Sequence, residues 1–181
     1  MSSVSDVIIS LIKKHSNNEV IDIMAMAESM GISVDSVEMK TSTDVAIMKQ
    51  GEDDNRPKIE LNKINTIEQN YTLVALLLAD SFIAPQKASN EGFKYEIFFL
   101  KDLRNYRLTR TLLLATRLAI PEKIINQIDE FDFDIDAYTA KTNYLPSFVN
   151  NMVKNNNASF LFINNLIGAV PIDNLIKGYA K

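Results

Sequence analysis

Few residues in this 181-residue chain can do chemistry, and their types narrow it sharply. There is no cysteine, which excludes disulfides, thiolate zinc sites and cysteine nucleophiles. The one histidine, His15, excludes any site that needs two imidazoles from the same chain, and a Ser-His-Asp triad would have to pass through it. His15 and Glu19 are four residues apart, but Asn17-Asn18 breaks the helix between them, so His15 reads as a helix-end residue. The five glycines, at 31, 51, 92, 168 and 178, are too scattered for a phosphate-cradling loop, and no Gly-x-Ser-x-Gly occurs. Asp132, Asp134 and Asp136 echo a calcium-loop spacing. The sixth position of such a loop, Ala137, should be Gly and the twelfth, Asn143, should be Glu, so Asp134 or Asp136 reads better as a helix N-cap.

Charge singles out one segment. The chain carries 19 basic and 23 acidic residues, net −4, which argues against a generic nucleic-acid coat. Residues 94–123 nevertheless hold Lys94, Lys101, Arg104, Arg107, Arg110, Arg117 and Lys123 against Glu96, Asp102 and Glu122, a local +4. Lys101, Arg104, Arg107, Arg110 and Arg117 are therefore candidate partner-binding residues, able to face an acidic protein or a phosphate backbone. The plainer alternative is a solvated helix face paired with acids elsewhere. Tyr144 to Val153 could close a helix-turn-helix-like pair in which Asn150 and Asn151 reach base edges. Lys141 and Lys154 are its only nearby cations, so phosphate anchoring is weak there. Met24, Met26, Met30, Met39 and Met48 suit either an adaptable groove or irregular core gaps, and core filling is the better reading.

Hydropathy and punctuation supply the frame that must position these residues. Ser5 opens a first helix over 5–15 with Val7, Ile8, Leu11 and Ile12 on one face. A second helix is expected from Glu19 to Met30, ended by Gly31 at the C′ position. Residues 32–39, 44–48 and 58–61 alternate as strands, and 51–57 is a turn. Thr66 with Gln69 makes a capping box before a strongly apolar helix that runs to Ile83 and stops before Pro85. A loop is expected over 86–92, and 93–100 reads as strand or helix start. Helices follow over 104–120, from Pro121 to Glu130, near 136–142, and from Pro146 to about Lys154. The pattern is α+β, a small mainly antiparallel sheet packed against several helices, with a helix-rich C-terminal half. Residues 1–155 form the domain, and 156–181 a C-terminal extension packed on it. The N-terminal apolar stretch is short and lacks a basic n-region, and no apolar run approaches ~20 residues, so a cytoplasmic protein is expected.

Four stretches, in this order and spacing, resemble the ImmA/IrrE-type metallopeptidase family. Ile21 to Val34 is similar to its opening helix ending in "lGI.V". Lys58-Ile59-Glu60-Leu61-Asn62 followed by Gln69 to Val74 looks like its "I.in" strand and "r.FTLA" entry to the zinc helix. Leu114-Ala115 with Leu118-Ala119-Ile120-Pro121 resembles "FA..LLMP", and Tyr144 to Val153 resembles "VS..aV..RL". Together they cover about residues 5–155. The resemblance implies HExxH directly after the FTLA-like entry, two histidines holding zinc and a glutamate activating water. Here those positions read Ala75-Leu76-Leu77-Leu78-Ala79. Ala75 and Ala79 stand where the zinc ligands would be, Leu76 replaces the general base, and Leu108 falls on the further acidic ligand. Aliphatic side chains cannot coordinate the ion, and burying Leu76 and Leu108 would contribute ~1.5–3 kcal/mol each.

The expectation is a non-enzyme without metal or cofactor: a zinc-peptidase-like scaffold that binds a regulatory protein, such as a helix-turn-helix repressor, in a phage or mobile-element setting. A nucleic-acid-associated regulator working through the basic helix 101–117 is the alternative. An enzyme of another type, using acids such as Asp80 or Glu68, would require a polar pocket with converging groups of perturbed pKa.

Overall fold

The computed structural model describes residues 4–17, 19–51, 56–102, 110–121, 123–124 and 133–154. Helix α1 spans Val4–His15, which places Ser5 in its first turn rather than at its cap. The next helix, α2, starts at Ile23 and ends at Ser29, four residues later than its periodicity suggested. A turn stands there instead: the Asn17 side-chain oxygen accepts the amides of Glu19 and Val20 at 3.3 and 2.9 Å, the Asn17 amide donates to the Val20 carbonyl at 3.1 Å, and the Asp22 amide donates back to the His15 carbonyl at 3.1 Å. Ser16 and Ile21 bridge across this turn, and Asp22 caps α2 by accepting the Ala25 amide at 3.0 Å. Gly31, at φ +76°, closes α2 in a left-handed cap, with Gly31 N–H bonded to Glu28 C=O and Ile32 N–H to Ala27 C=O.

Four strands follow the alternating runs: β1 Ser33–Val37, β2 Asp44–Gln50, β3 Pro57–Asn62 and β4 Phe93–Glu96. They form one mixed sheet ordered β1-β3-β2-β4. β2 is antiparallel to both β3 and β4, whereas β1 runs parallel to β3, with Val34 opposite Ile59. Ala46, Met48, Ile59 and Leu61 are buried on one face. The other face carries an ion ladder in which Glu60 meets Lys49 at 3.1 Å and Lys58 at 3.4 Å, and Lys58 reaches Asp35 at 3.3 Å. The fold is α+β, as the pattern implied.

Helix α3, Ile67–Ile83, is the hub of the core. Its capping box is complete: Thr66 Oγ1 accepts the Gln69 amide at 3.3 Å, and Gln69 Oε1 accepts the Thr66 amide at 2.8 Å. Every residue from Thr72 to Ala79 is fully buried, so α3 has no solvent face over two turns. The expected loop over 86–92 is instead a short helix, α4 Pro85–Asn90, because Pro85 supplies the preset φ of a first helical turn. The 93–100 segment divides between β4 and α5, Ile97–Asp102. Helix α6, Arg110–Ala119, packs along α3. Helices α7, Ile135–Thr142, and α8, Pro146–Lys154, complete the described chain. Asp134 caps α7 by accepting the Ala137 amide at 2.9 Å, which settles its role in the acidic run. Buried Tyr144 and Phe148 seat this end against Tyr71 at the start of α3. The expected helix over 121–130 and the extension 156–181 fall wholly or mainly outside the described residues.

Candidate functional site

The positions that the resemblance would assign to a zinc helix lie in a closed part of the described core. Ala75, Leu76 and Ala79 are each 0% exposed, on the two turns of α3 buried all round. Leu108, the fourth position, lies outside the described residues. Alanine and leucine offer no lone pair, and the surroundings are aliphatic: Leu73, Leu77, Leu78, Leu112, Leu114 and Leu118 belong to the same core. These residues do not fit a zinc ion, and no catalytic step can be routed through one. Among the described residues, no group of three or more His, Asp or Glu side chains is placed to hold a metal.

One residue further along, α3 changes character. Asp80 lies on its last turn, half-buried, and its carboxylate is fixed from two directions. Tyr95 Oη, on β4, donates to Oδ2 at 2.6 Å, and Thr111 Oγ1, on α6, donates to Oδ1 at 2.5 Å. Burial raises the Asp80 pKa above the ordinary carboxylate value, with the two hydroxyl bonds and the positive charge of Lys87 pulling the other way. Asp80, Tyr95 and Thr111 face a cavity of about 670 Å³ whose remaining wall includes Phe93, Phe99 and Gly92. Its rim residues Lys87, Glu91, Lys94 and Glu96 are exposed, so the cavity opens to solvent. The frame is rigid. Gly92 sits at φ +73°, so close to β2 that an added Cβ would lie 2.2 Å from the Met48 carbonyl oxygen. Lys94 binds Asp44 at 2.7 Å and pins β4 to β2, and that hydrogen bond is the main cause holding the Asp44 carboxyl below its usual pKa. A second concavity, about 720 Å³, runs beside the edge strand β1 between α2 and Tyr71.

Compared with protein families, curated proteins and solved structures, the chain has no match.

The other candidate residues are dispersed. Lys101 is exposed on α5 and Arg110 is exposed at the start of α6. Arg117 is only 8% exposed, sits within the packed part of α6, and so does not extend a docking face. Arg104 and Arg107 lie outside the described residues. Asn151 is buried at 6% exposure, which removes it from base-edge reading. Glu68 is in the first turn of α3, its carboxyl held below the usual range chiefly by a hydrogen bond with Thr66. Twelve residues of helix put it roughly 18 Å from Asp80, so the two acids do not converge. His15 Nε2 lies 2.9 Å from Ser29 Oγ, a contact between the ends of α1 and α2. Met26 and Met48 are fully buried core, with Met24 and Met30 packed on them.

Sequence reasoning named Asp80 but not Tyr95 or Thr111. Their separations of 15 and 31 residues follow no local period, and only the fold brings them together. Chemically the arrangement is a carboxyl group held in one orientation by two hydroxyl donors. Among the described residues, the side chains bonded to the Asp80 carboxyl are the Tyr95 phenol and the Thr111 hydroxyl.

Proposed function

We propose that this chain is a degenerate relative of the ImmA/IrrE-type peptidases that binds a protein partner and does not cut it. The partner on this reading is a regulatory protein, a transcriptional repressor foremost, in a phage or mobile-element setting. One observation supports it above the rest: the three positions where that family would grip and use zinc are filled by Ala75, Leu76 and Ala79, each with no exposed surface. A helix of this kind contributes packing rather than chemistry, with ~1.5–3 kcal/mol from a fully buried leucine. The element order agrees with the reading, since a small sheet leads through a capping box into the helix that would carry the metal.

The test is capture with the full chain as bait in its native host, followed by mass measurement of the purified complex. The expected result is a stoichiometric complex with one regulatory protein. Recovery of the chain alone, together with turnover of a peptide by the purified protein, contradicts the proposal.

A further inference from the structure

We propose that the cavity at the C-terminal end of α3 is a receptor for a guanidinium group, an arginine side chain presented by a protein partner, with Asp80 as its anionic floor. This deepens the protein-binding reading above and rests on it for the source of the arginine, though not for the chemistry of the pocket.

The carboxylate comes first. Asp80 is half-buried, and no described cation forms an ion pair with it. Each of its oxygens already accepts one hydroxyl, at 2.5 and 2.6 Å, so the plane of the group is fixed and one acceptor direction remains on each oxygen. A carboxylate fixed in its plane with an acceptor direction left on each oxygen suits a planar fork of N–H donors, and a point-charge ammonium gains less from it. Burial disfavours the charge on Asp80, and an incoming cation relieves that cost.

The walls come second. Tyr95 and Phe99 form an aromatic corner beside the carboxylate, ring centroids 4.8 Å apart and inclined at 59°, and a guanidinium stacks on such faces. The molecule already uses this chemistry at the rim, where the Lys87 ammonium lies 5.3 Å from the centre of the Phe93 ring. The rim carries two lysines and two glutamates, and the Lys87 ammonium, which already acts on Asp80, is a charge that an incoming cation must pass. Lys94 is bound to Asp44, Lys87 is stacked on Phe93, and Glu91 and Glu96 balance them. At about 670 Å³ the cavity is within the usual range for small-ligand sites and admits a whole side chain.

Asp80 also ties α3 to β4 and α6, and a purely structural carboxylate would need no ligand. The experiment separates the two roles. The full chain is titrated with N-acetyl-argininamide while backbone amide NMR signals are followed, and the titration is repeated with N-acetyl-citrullinamide, a neutral analogue of nearly equal shape. Saturable shifts confined to residues 80, 87–99 and 111 are expected for the arginine probe, with at least tenfold weaker binding of the citrulline probe. N-acetyl-lysinamide is expected to bind more weakly than the arginine probe. Asp80→Asn should weaken arginine binding at least tenfold. Tyr95→Phe, which loses one hydroxyl bond but keeps the charge and the ring, should retain it within about threefold while lowering thermal stability. Equal binding of the arginine and citrulline probes to the unaltered protein overturns the proposal, whatever the variants do. A lysine probe that binds as well as arginine overturns the guanidinium assignment. Arginine binding without any stoichiometric protein partner would leave this site standing and remove the protein-binding reading instead.

Discussion

Helix α3 carries two neighbouring regions of opposite character. From Thr72 to Ala79 it is sealed on every side, and one residue later Asp80, held by two hydroxyl donors, faces a cavity that is open to solvent. Apart from Thr72, whose hydroxyl oxygen accepts the Leu145 amide at 3.1 Å, the first region is built of groups that gain by leaving water. The second retains a carboxylate at a desolvation cost, offset by hydrogen bonds from two other elements. A buried aliphatic run resists any polar intrusion and can do nothing but pack. A braced, half-buried anion is the kind of feature on which recognition is built. The contrast is why the account assigns packing to Ala75–Ala79 and binding to Asp80.

The sharpest way to break this contrast is to place a charge in the sealed region. Leu76→Glu, which introduces the residue type that serves as base in the family of the proposed resemblance, should cost more than about 4 kcal/mol and leave little folded protein, because the carboxylate would find no partner there. Circular dichroism during thermal unfolding reads this directly, and a stable, folded Leu76→Glu protein would show that the region is not sealed. Next in size is Gly92→Ala, which combines a positive φ with an overlap on the Met48 carbonyl. A loss of about 2–3 kcal/mol in urea unfolding is expected, since β4 must shift or strain. Thr66→Ala removes the first half of the capping box and should cost about 1 kcal/mol by the same measurement.

Asp80→Asn should have the smallest effect, and its sign depends on pH. The folded pKa of Asp80 is raised, so the folded state binds its proton more tightly than the unfolded chain does. The stability that Asp80 contributes is complete below the unfolded value, near 3.9, and is lost as pH rises through the folded pKa. Unfolding curves should therefore show Asp80→Asn gaining relative to the unaltered protein as pH rises across that window. Asp44 behaves oppositely. Its folded pKa is depressed by Lys94, so its contribution is present above the unfolded value and disappears as pH falls through the folded one. Asp44→Asn should flatten the acid limb of the stability profile, and a steeper limb would contradict the role given to that ion pair.

Local chemistry made much of this fold readable. The Thr66–Gln69 box and the left-handed Gly31 cap are each encoded within four residues and occur where spacing places them, and of the two cap candidates Asp134 and Asp136 it is Asp134 that caps. The late start of α2 is hidden because the periodicity from Glu19 carries no sign of the turn in which Ser16 bridges Ile21 and Asp22 bonds back to His15. The parallel β1–β3 pair could not be read, since strand order depends on which strand inserts between others and not on any one strand's sequence. Burial of Arg117 was missed for a related reason. Counting basic residues along a segment overlooks that residues 112–120 are otherwise almost entirely apolar, which drew this arginine into the packed part of α6. The Asp80 pocket was half legible: an acid in an apolar stripe is visible in sequence, but the phenol and hydroxyl that brace it come from β4 and α6.

The most direct test of the central claim is the zinc content of the full chain, purified without chelators and measured by mass spectrometry after exchange into metal-free buffer. Far less than one zinc per chain is expected, with no recovery on adding stoichiometric zinc. About one tightly held zinc per chain would contradict it, because residues that this account treats as packing would then have to lie beside a working metal site.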